Sequence, residues 1–178
     1  QPRIVMMTPG PAAPTHAEHA YLARTLGFTL VEPSDLTVRE ARVWLKSVAG
    51  LEPVHVIVRL VPSPECDPLE LSNDSAHGVA GLVEACRRHN VAVANPLGSG
   101  VGECAALLPF MPKLTRMLLG EDPLIESATT WWCGDDASRS HVLANLDRLL
   151  IRSADTIDGR HTQFGRNLTS LQLADLAD

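Results

Sequence analysis

The sequence predicts an α/β fold built on a parallel sheet with helices on both faces, and three observations carry that prediction. Short apolar runs of strand length recur at residues 3–7, 28–32, 54–59 and 91–94. Through residue 95 they alternate with segments of helical spacing, the pattern of parallel strands joined by right-handed crossovers. The third observation is the stretch Val91-Ala-Val-Ala-Asn95-Pro-Leu-Gly98-Ser99-Gly100-Val-Gly102. It reads as a buried strand, an Asn-Pro stop and a glycine loop, followed by a helix starting at Glu103. Strand, glycine loop, helix is how α/β proteins bring backbone N–H groups close to a ligand. The loop is not GxGxxG, and glycine also serves tight turns for steric reasons, so the loop by itself leaves both readings open.

Taken in order, Arg3-Ile-Val-Met-Met7 is the first strand, and Thr8-Pro-Gly-Pro11 breaks it. Thr15 is the expected N-cap of a helix running to Leu26, which Gly27 ends. Residues 28–32 form the next strand, and Pro33-Ser-Asp35 turns. Residues 37–46 have helical propensity, but the alternation in Arg42-Val-Trp-Leu-Lys46 predicts a small hairpin. The strand Val54-His-Val-Ile-Val-Arg59 leads into a Pro-rich loop that ends at Asp67-Pro68. Helices are predicted over 81–89, 103–108, 113–119, 138–145 and 168–177, and a strand over Leu149-Leu-Ile-Arg152. Residues 121–130 are the best candidate linker, leading to a partial second unit. In parallel sheets ligands sit beyond the carboxyl ends of the strands. Here those ends are residues 8–11, 32–35, 59–67 and 95–102.

Composition narrows the function. The chain has 178 residues and is 45% hydrophobic, enough for a real core. A net charge of −6, scattered basic residues and only 4% aromatics argue against a nucleic-acid partner. No apolar run approaches the roughly 20 residues that a membrane helix needs. The four cysteines show no metal-ligand spacing and read as reduced thiols, which with no recognisable leader predicts a cytoplasmic protein. The chain starts without Met in strand-like sequence and stops within a helical pattern, so it reads as a segment of a longer chain.

Several residues have the chemistry of a site. Arg59 closes a strand of Val and Ile, either snorkelling from the strand end or clamping an anion over the crevice. As an anion clamp it is expected to turn toward the loop at 95–102, because a charge on an apolar strand needs water or a partner. Asp35 and Asp67 read first as turn residues. Ser75 reads first as the cap of the helix after it, with an anion contact as the alternative. Glu18, in the first turn of its helix, complements the macrodipole. His16, His19 and His77 form no recognisable metal set, and no nucleophile–base pair stands out, so no catalytic or metal-ligating residue is assigned. Trp131-Trp132 reads as packing of the linker onto the core.

With these residues in view, the chain resembles the circularly permuted ATP-grasp family, type 2, of bacterial proteins akin to glutathionylspermidine synthase. The match runs in order through Val5-Met-Met-Thr-Pro-Gly-Pro11, Glu18-His-Ala-Tyr-Leu-Ala23, Leu30-Val-Glu32, Asp35-Leu36 and Val58-Arg59. It continues through Asp67-Pro-Leu-Glu-Leu71, Asp74-Ser75, Gly78-Val-Ala-Gly-Leu82 and Ala94-Asn-Pro-Leu-Gly-Ser-Gly-Val101. Leu108-Pro109, Leu118-Leu-Gly-Glu121, Thr130-Trp-Trp-Cys-Gly134 and Leu149-Leu-Ile-Arg152 close it. The chain departs where Leu60 follows Arg59, since the family often has a second arginine there, and at His77 and Arg88-His-Asn90.

The resemblance implies an ATP-dependent carboxylate–amine ligase, which activates a carboxylate as an acyl phosphate for attack by an amine. Residues 1–126 would be its Rossmann-like pre-ATP-grasp domain and 127–178 part of an ATP-grasp subdomain. ATP and magnesium would serve the intact protein, with none bound by this segment alone. Arg152 falls where the family places a basic residue facing the ATP phosphates, and the family's acidic magnesium ligands lie outside the segment. Glu18, Asp35, Arg59, Asp67, Ser75, Asn95, Gly98, Ser99 and Gly100 are the expected contacts for a small carboxylate or amine substrate. The remainder of its own chain is the expected partner. The alternative is a non-catalytic Rossmann-like binding or docking module. An unrelated doubly wound oxidoreductase would need a GxGxxG loop after the first strand, which Thr8-Pro-Gly-Pro11 does not supply.

Overall fold

The computed structural model describes residues 2–154, 162–169 and 172. The chain divides into two compact units, Gln1–Ser99 and Gly100–Asp178.

The first unit is mixed α/β. The four runs read as strands pair into one sheet: β1 (Ile4–Met7), β2 (Thr29–Val31), β6 (Val56–Arg59) and β7 (Ala92–Ala94), in the order β2-β1-β6-β7. All three pairings are parallel, so the four carboxyl ends lie along one edge. Met7 is in register with Val31 on one side and Arg59 on the other. Alternation sends Val5, Met7, Val31 and Ile57 to one face, where they pack with Leu36, Val43, Val54, Val79, Leu82 and Ala85 as the core. Met6, also buried, takes the opposite face.

Between β2 and β6 lies a three-stranded antiparallel meander of β3 (Leu36–Arg39), β4 (Arg42–Ser47) and β5 (Gly50–Pro53). The expected hairpin is its first half. The third strand is hidden in the sequence because Gly50 and Pro53 read as breakers, yet proline is tolerated on an edge strand. The β3–β4 turn is tight, with Glu40 and Ala41 both at positive φ (52° and 53°), and the Asn90 side chain donates to the Ala41 carbonyl at 2.8 Å.

Two helices belong to this unit. Helix α1 (His16–Leu26) ends at Gly27 in the left-handed conformation, as expected. Thr15 is not a side-chain cap: it makes no capping hydrogen bond, and its carbonyl instead accepts from His19 N at 3.0 Å. Helix α2 (Leu82–Arg87) is shorter than the span of 81–89 read from sequence.

In the second unit the helix expected at 103–108 is absent. Residues Ser99–Glu103 and Ala105–Phe110 form 3-10 turns instead, because Pro109 has no N–H to continue an α-helical ladder. Helix α3 (Met111–Leu119) follows, with Pro112 in its first turn and Gly120 as a left-handed cap. Helix α4 (Asp136–Ala144) begins before the expected Ser138, capped by Asp135, whose Oδ2 accepts from Ser138 N at 2.9 Å. Strand β8 (Leu150–Arg152) pairs antiparallel with β9 (Thr162–Phe164). Residues 121–130 lie within this unit and form no helix or strand. The helix read at 168–177 falls almost wholly outside the described residues.

Candidate functional site at the carboxyl ends of the parallel strands

Arg59 organises the carboxyl-end edge of the sheet. Its β-branched neighbours make β6 a central strand, and its half-buried side chain leaves the last position of that strand toward β7. Arg59 Nε donates to the Asn95 carbonyl at 2.8 Å, Nη1 to the Val61 carbonyl at 2.6 Å, and Nη2 to Ser99 Oγ at 3.1 Å. The guanidinium therefore faces the glycine loop, the orientation expected of it as an anion clamp. Its acceptors are two carbonyls and a hydroxyl. Among the described residues no carboxylate forms an ion pair with it.

The loop itself is shaped for this contact. Asn95 adopts a left-handed φ of 59°, a conformation asparagine tolerates, and Ser99 N donates to the Pro96 carbonyl to close a turn. Gly98, at φ 89°, donates its N–H to Ser63 Oγ at 2.7 Å and so laces the β7 loop to the β6 loop. Asn95, Gly98 and Ser99 are exposed. Gly100 begins the second unit and takes no part in this hydrogen-bonded set.

Asp67 and Ser75 build the wall behind Arg59. Asp67 is completely buried, and its carboxylate accepts from Leu69 N at 2.9 Å, Gly81 N at 3.2 Å and Val83 N at 2.9 Å. It thus makes the local turn bond expected of it and also caps α2 from the preceding loop. Ser75 is not the cap of that helix: its hydroxyl donates to the Glu65 carbonyl at 2.6 Å and accepts from His77 N. The two loops approach so closely that a Cβ on Gly78 would lie 2.6 Å from the Glu65 carbonyl oxygen. Cys66, between them, is an inert thiol whose pKa burial pushes up to about 11.

At the β1 and β2 end, Glu18 and Asp35 are exposed. Asp35 Oδ2 accepts from Glu32 N at 2.8 Å, the local turn bond expected of it. Sequence reasoning missed the pairing of His19 with Thr8: both are buried, with Nδ1 and Oγ1 2.9 Å apart. The available signal was a histidine one helical turn before Ala23, on the face of α1 that turns inward.

The second unit holds a cavity of about 400 Å³. Trp131, Val142, Leu149 and Ile151 give it apolar walls, and Arg148 and Arg152 add two cations. Trp131 stacks on His141 with ring centroids 4.8 Å apart. Among the described residues no group of three His, Cys, Asp or Glu is placed to hold a metal ion. None of the described helices is long and apolar enough to cross a membrane.

The family model for circularly permuted ATP-grasp type 2 matches residues 1–178. The chain belongs to this family. Relatives of this ATP-grasp chain include the uncharacterized protein Rv2567 of Mycobacterium tuberculosis, 47% identical over 176 residues, which cover 99% of the chain and 20% of the relative. The uncharacterized protein ML0605 of Mycobacterium leprae is 35% identical over 173 residues, covering 97% of the chain and 31% of the relative. The uncharacterized protein sll0335 of Synechocystis is 32% identical over 177 residues, covering 99% and 37%. The ATP-grasp chain thus spans between a fifth and just over a third of the length of these relatives.

Proposed function

We propose that this chain is the Rossmann-like pre-ATP-grasp domain, with part of an ATP-grasp subdomain from about residue 127, of a ligase akin to glutathionylspermidine synthase. That ligase joins a small carboxylate to an amine at the expense of ATP. The observation that carries the reading is Arg59. A cation with no carboxylate partner among the described residues, held at the crevice end of a parallel sheet beside an exposed loop, is suited to an anionic substrate group. Ser99 and the Asn95–Pro96 turn would line the crevice beside it. Asp67 and Ser75 would hold the wall, and Glu18 and Asp35 would face the amine side.

The second unit's cavity fits part of a nucleotide: its walls are apolar and aromatic, and Arg148 and Arg152 could meet phosphate oxygens. Among the described residues no group of three His, Cys, Asp or Glu could hold a metal ion, and the acidic magnesium ligands are assigned to other parts of the ligase.

The test is ADP release by the longer protein that carries this chain, assayed with a panel of carboxylates, each with and without an amine. ATP turnover that needs both partners, and that falls at least about tenfold in Arg59→Ala with a raised carboxylate KM, supports the reading. Turnover indifferent to the carboxylate and to Arg59 refutes it.

A further inference from the structure

The Thr8–His19 pair has the construction of a binding device. Thr8 is 1% exposed and His19 8%. The Gly10 N–H approaches Thr8 Oγ1 at 3.4 Å, and the same oxygen lies 2.9 Å from His19 Nδ1. With the hydroxyl donating to Nδ1, the ring carries its proton on Nε2. Among the described residues Nε2 has no hydrogen-bond partner, yet it is not sealed in: the buried side-chain polar atom left without a partner is Nδ1 of His16. His16 lies three residues before His19, on the same face at the head of α1. Buried polar groups find partners in the protein or in water. Here one is held and the other is offered, next to a second unsatisfied imidazole.

The position fits as well. Thr8 follows Met7, the register partner of Arg59, so the pair stands one strand from Arg59 at the same edge of the sheet. Alternation puts the two on opposite faces, bracketing the strand ends.

We infer that His19 contacts the ligand of this crevice, donating its Nε2–H to an anionic oxygen, carboxylate or phosphate, that Arg59 also attracts. This rests on the reading of the crevice given above. Thr8 is a positioning residue, setting the tautomer and the aim of the ring. Burial lowers the His19 pKa, the nearby Glu18 opposes that, and His16 reinforces it, so the ring acts as a neutral donor.

The experiment follows the imidazole nitrogens of the full chain by NMR while L-glutamate, or in a second arm inorganic phosphate, is added. The expected result is an Nε2–H tautomer at His19 whose Nε2 signal moves saturably with at least one probe. The arm that responds identifies the oxygen as carboxylate or phosphate. Asparagine reproduces the Nδ1 side of the ring and glutamine the Nε2 side. His19→Asn therefore weakens binding about tenfold or more, the worth of a hydrogen bond to a charged group, and His19→Gln restores most of it. An Nε2 signal that stays still with both probes overturns the inference, and the wild-type spectrum alone decides this if the variants do not fold. Equal binding by wild type and His19→Asn also overturns it. If His19 responds while Arg59→Ala binds as wild type, the Arg59 reading fails and that of His19 stands.

Discussion

The Arg59 guanidinium donates its Nε–H to the Asn95 carbonyl at 2.8 Å, joining the end of one central strand to the loop after its neighbour. With Val61 and Ser99 as further acceptors, the side chain orders the loop and, among the described residues, keeps a charge with no carboxylate partner at the sheet edge.

Removing it should therefore loosen the loop as well as the charge. Arg59→Ala strips a charge-assisted donor from the carbonyls of Val61 and Asn95, and a loss of about 1–3 kcal/mol is expected. Arg59→Lys recovers only part, since one ammonium cannot span three acceptors in a fixed fork. Urea denaturation measures the loss, and amide exchange at Gly98 and Ser99 reports the loop. Unchanged exchange in Arg59→Ala would show that the loop holds its own shape.

Asp67 is expected to be a stability residue of the first rank. Asp67→Ala leaves three backbone N–H groups, of Leu69, Gly81 and Val83, without their acceptor, and a loss of about 3 kcal/mol or more follows. Asp67→Asn keeps one acceptor oxygen but turns an NH2 toward a backbone donor, so it lies in between. A thermal midpoint within a degree or two of wild type in Asp67→Ala would refute the capping role.

The β3–β4 turn can be relieved. Glu40 and Ala41 both occupy the left-handed region, where two-residue hairpin turns favour Asn-Gly. Ala41→Gly is expected to relieve left-handed strain on the order of 1 kcal/mol, partly offset by the freedom glycine adds to the unfolded chain. Together with Glu40→Asn the net gain is about 1 kcal/mol. Differential calorimetry on the double variant checks it, and a lowered midpoint would show that the native turn is unstrained.

Stability should weaken in mild acid through His19. Burial, against the opposing charge of Glu18 and with the help of His16, holds its pKa below the usual value of about 6.5. The unfolded chain then takes up the proton more readily than the folded one. The contribution is whole above about pH 6.5 and is lost as pH falls from there through the lower, folded value. Denaturant titrations across that window should slope in wild type and flatten in His19→Gln. Equal slopes would mean that the folded ring titrates as the unfolded one does.

The sequence by itself determined the sheet: four β-branched or alanine-rich runs, separated by Pro, Gly and Asn turns, are local signals, and all four strands stand where those signals are. It also placed Arg59 at the end of an apolar strand and left two readings of it open, snorkelling or turning to the glycine loop, between which the fold chose the loop. Tertiary structure decided the rest. Asp67 reads as a turn residue until the chain returns with Gly81 and Val83 to bond its carboxylate, and Ser75 reads as a helix cap until Asp67 proves to have taken that place. The third meander strand exists because pairing along β4 outweighs the poor strand propensity of Gly50 and Pro53. Thr8 and His19 become a pair only when α1 folds back beside the sheet and brings His19 to the end of β1. Periodicity and turn chemistry are written in neighbouring residues, whereas the partner of a buried polar group is chosen by which distant segments the core brings within 3 Å or so, the reach of a hydrogen bond.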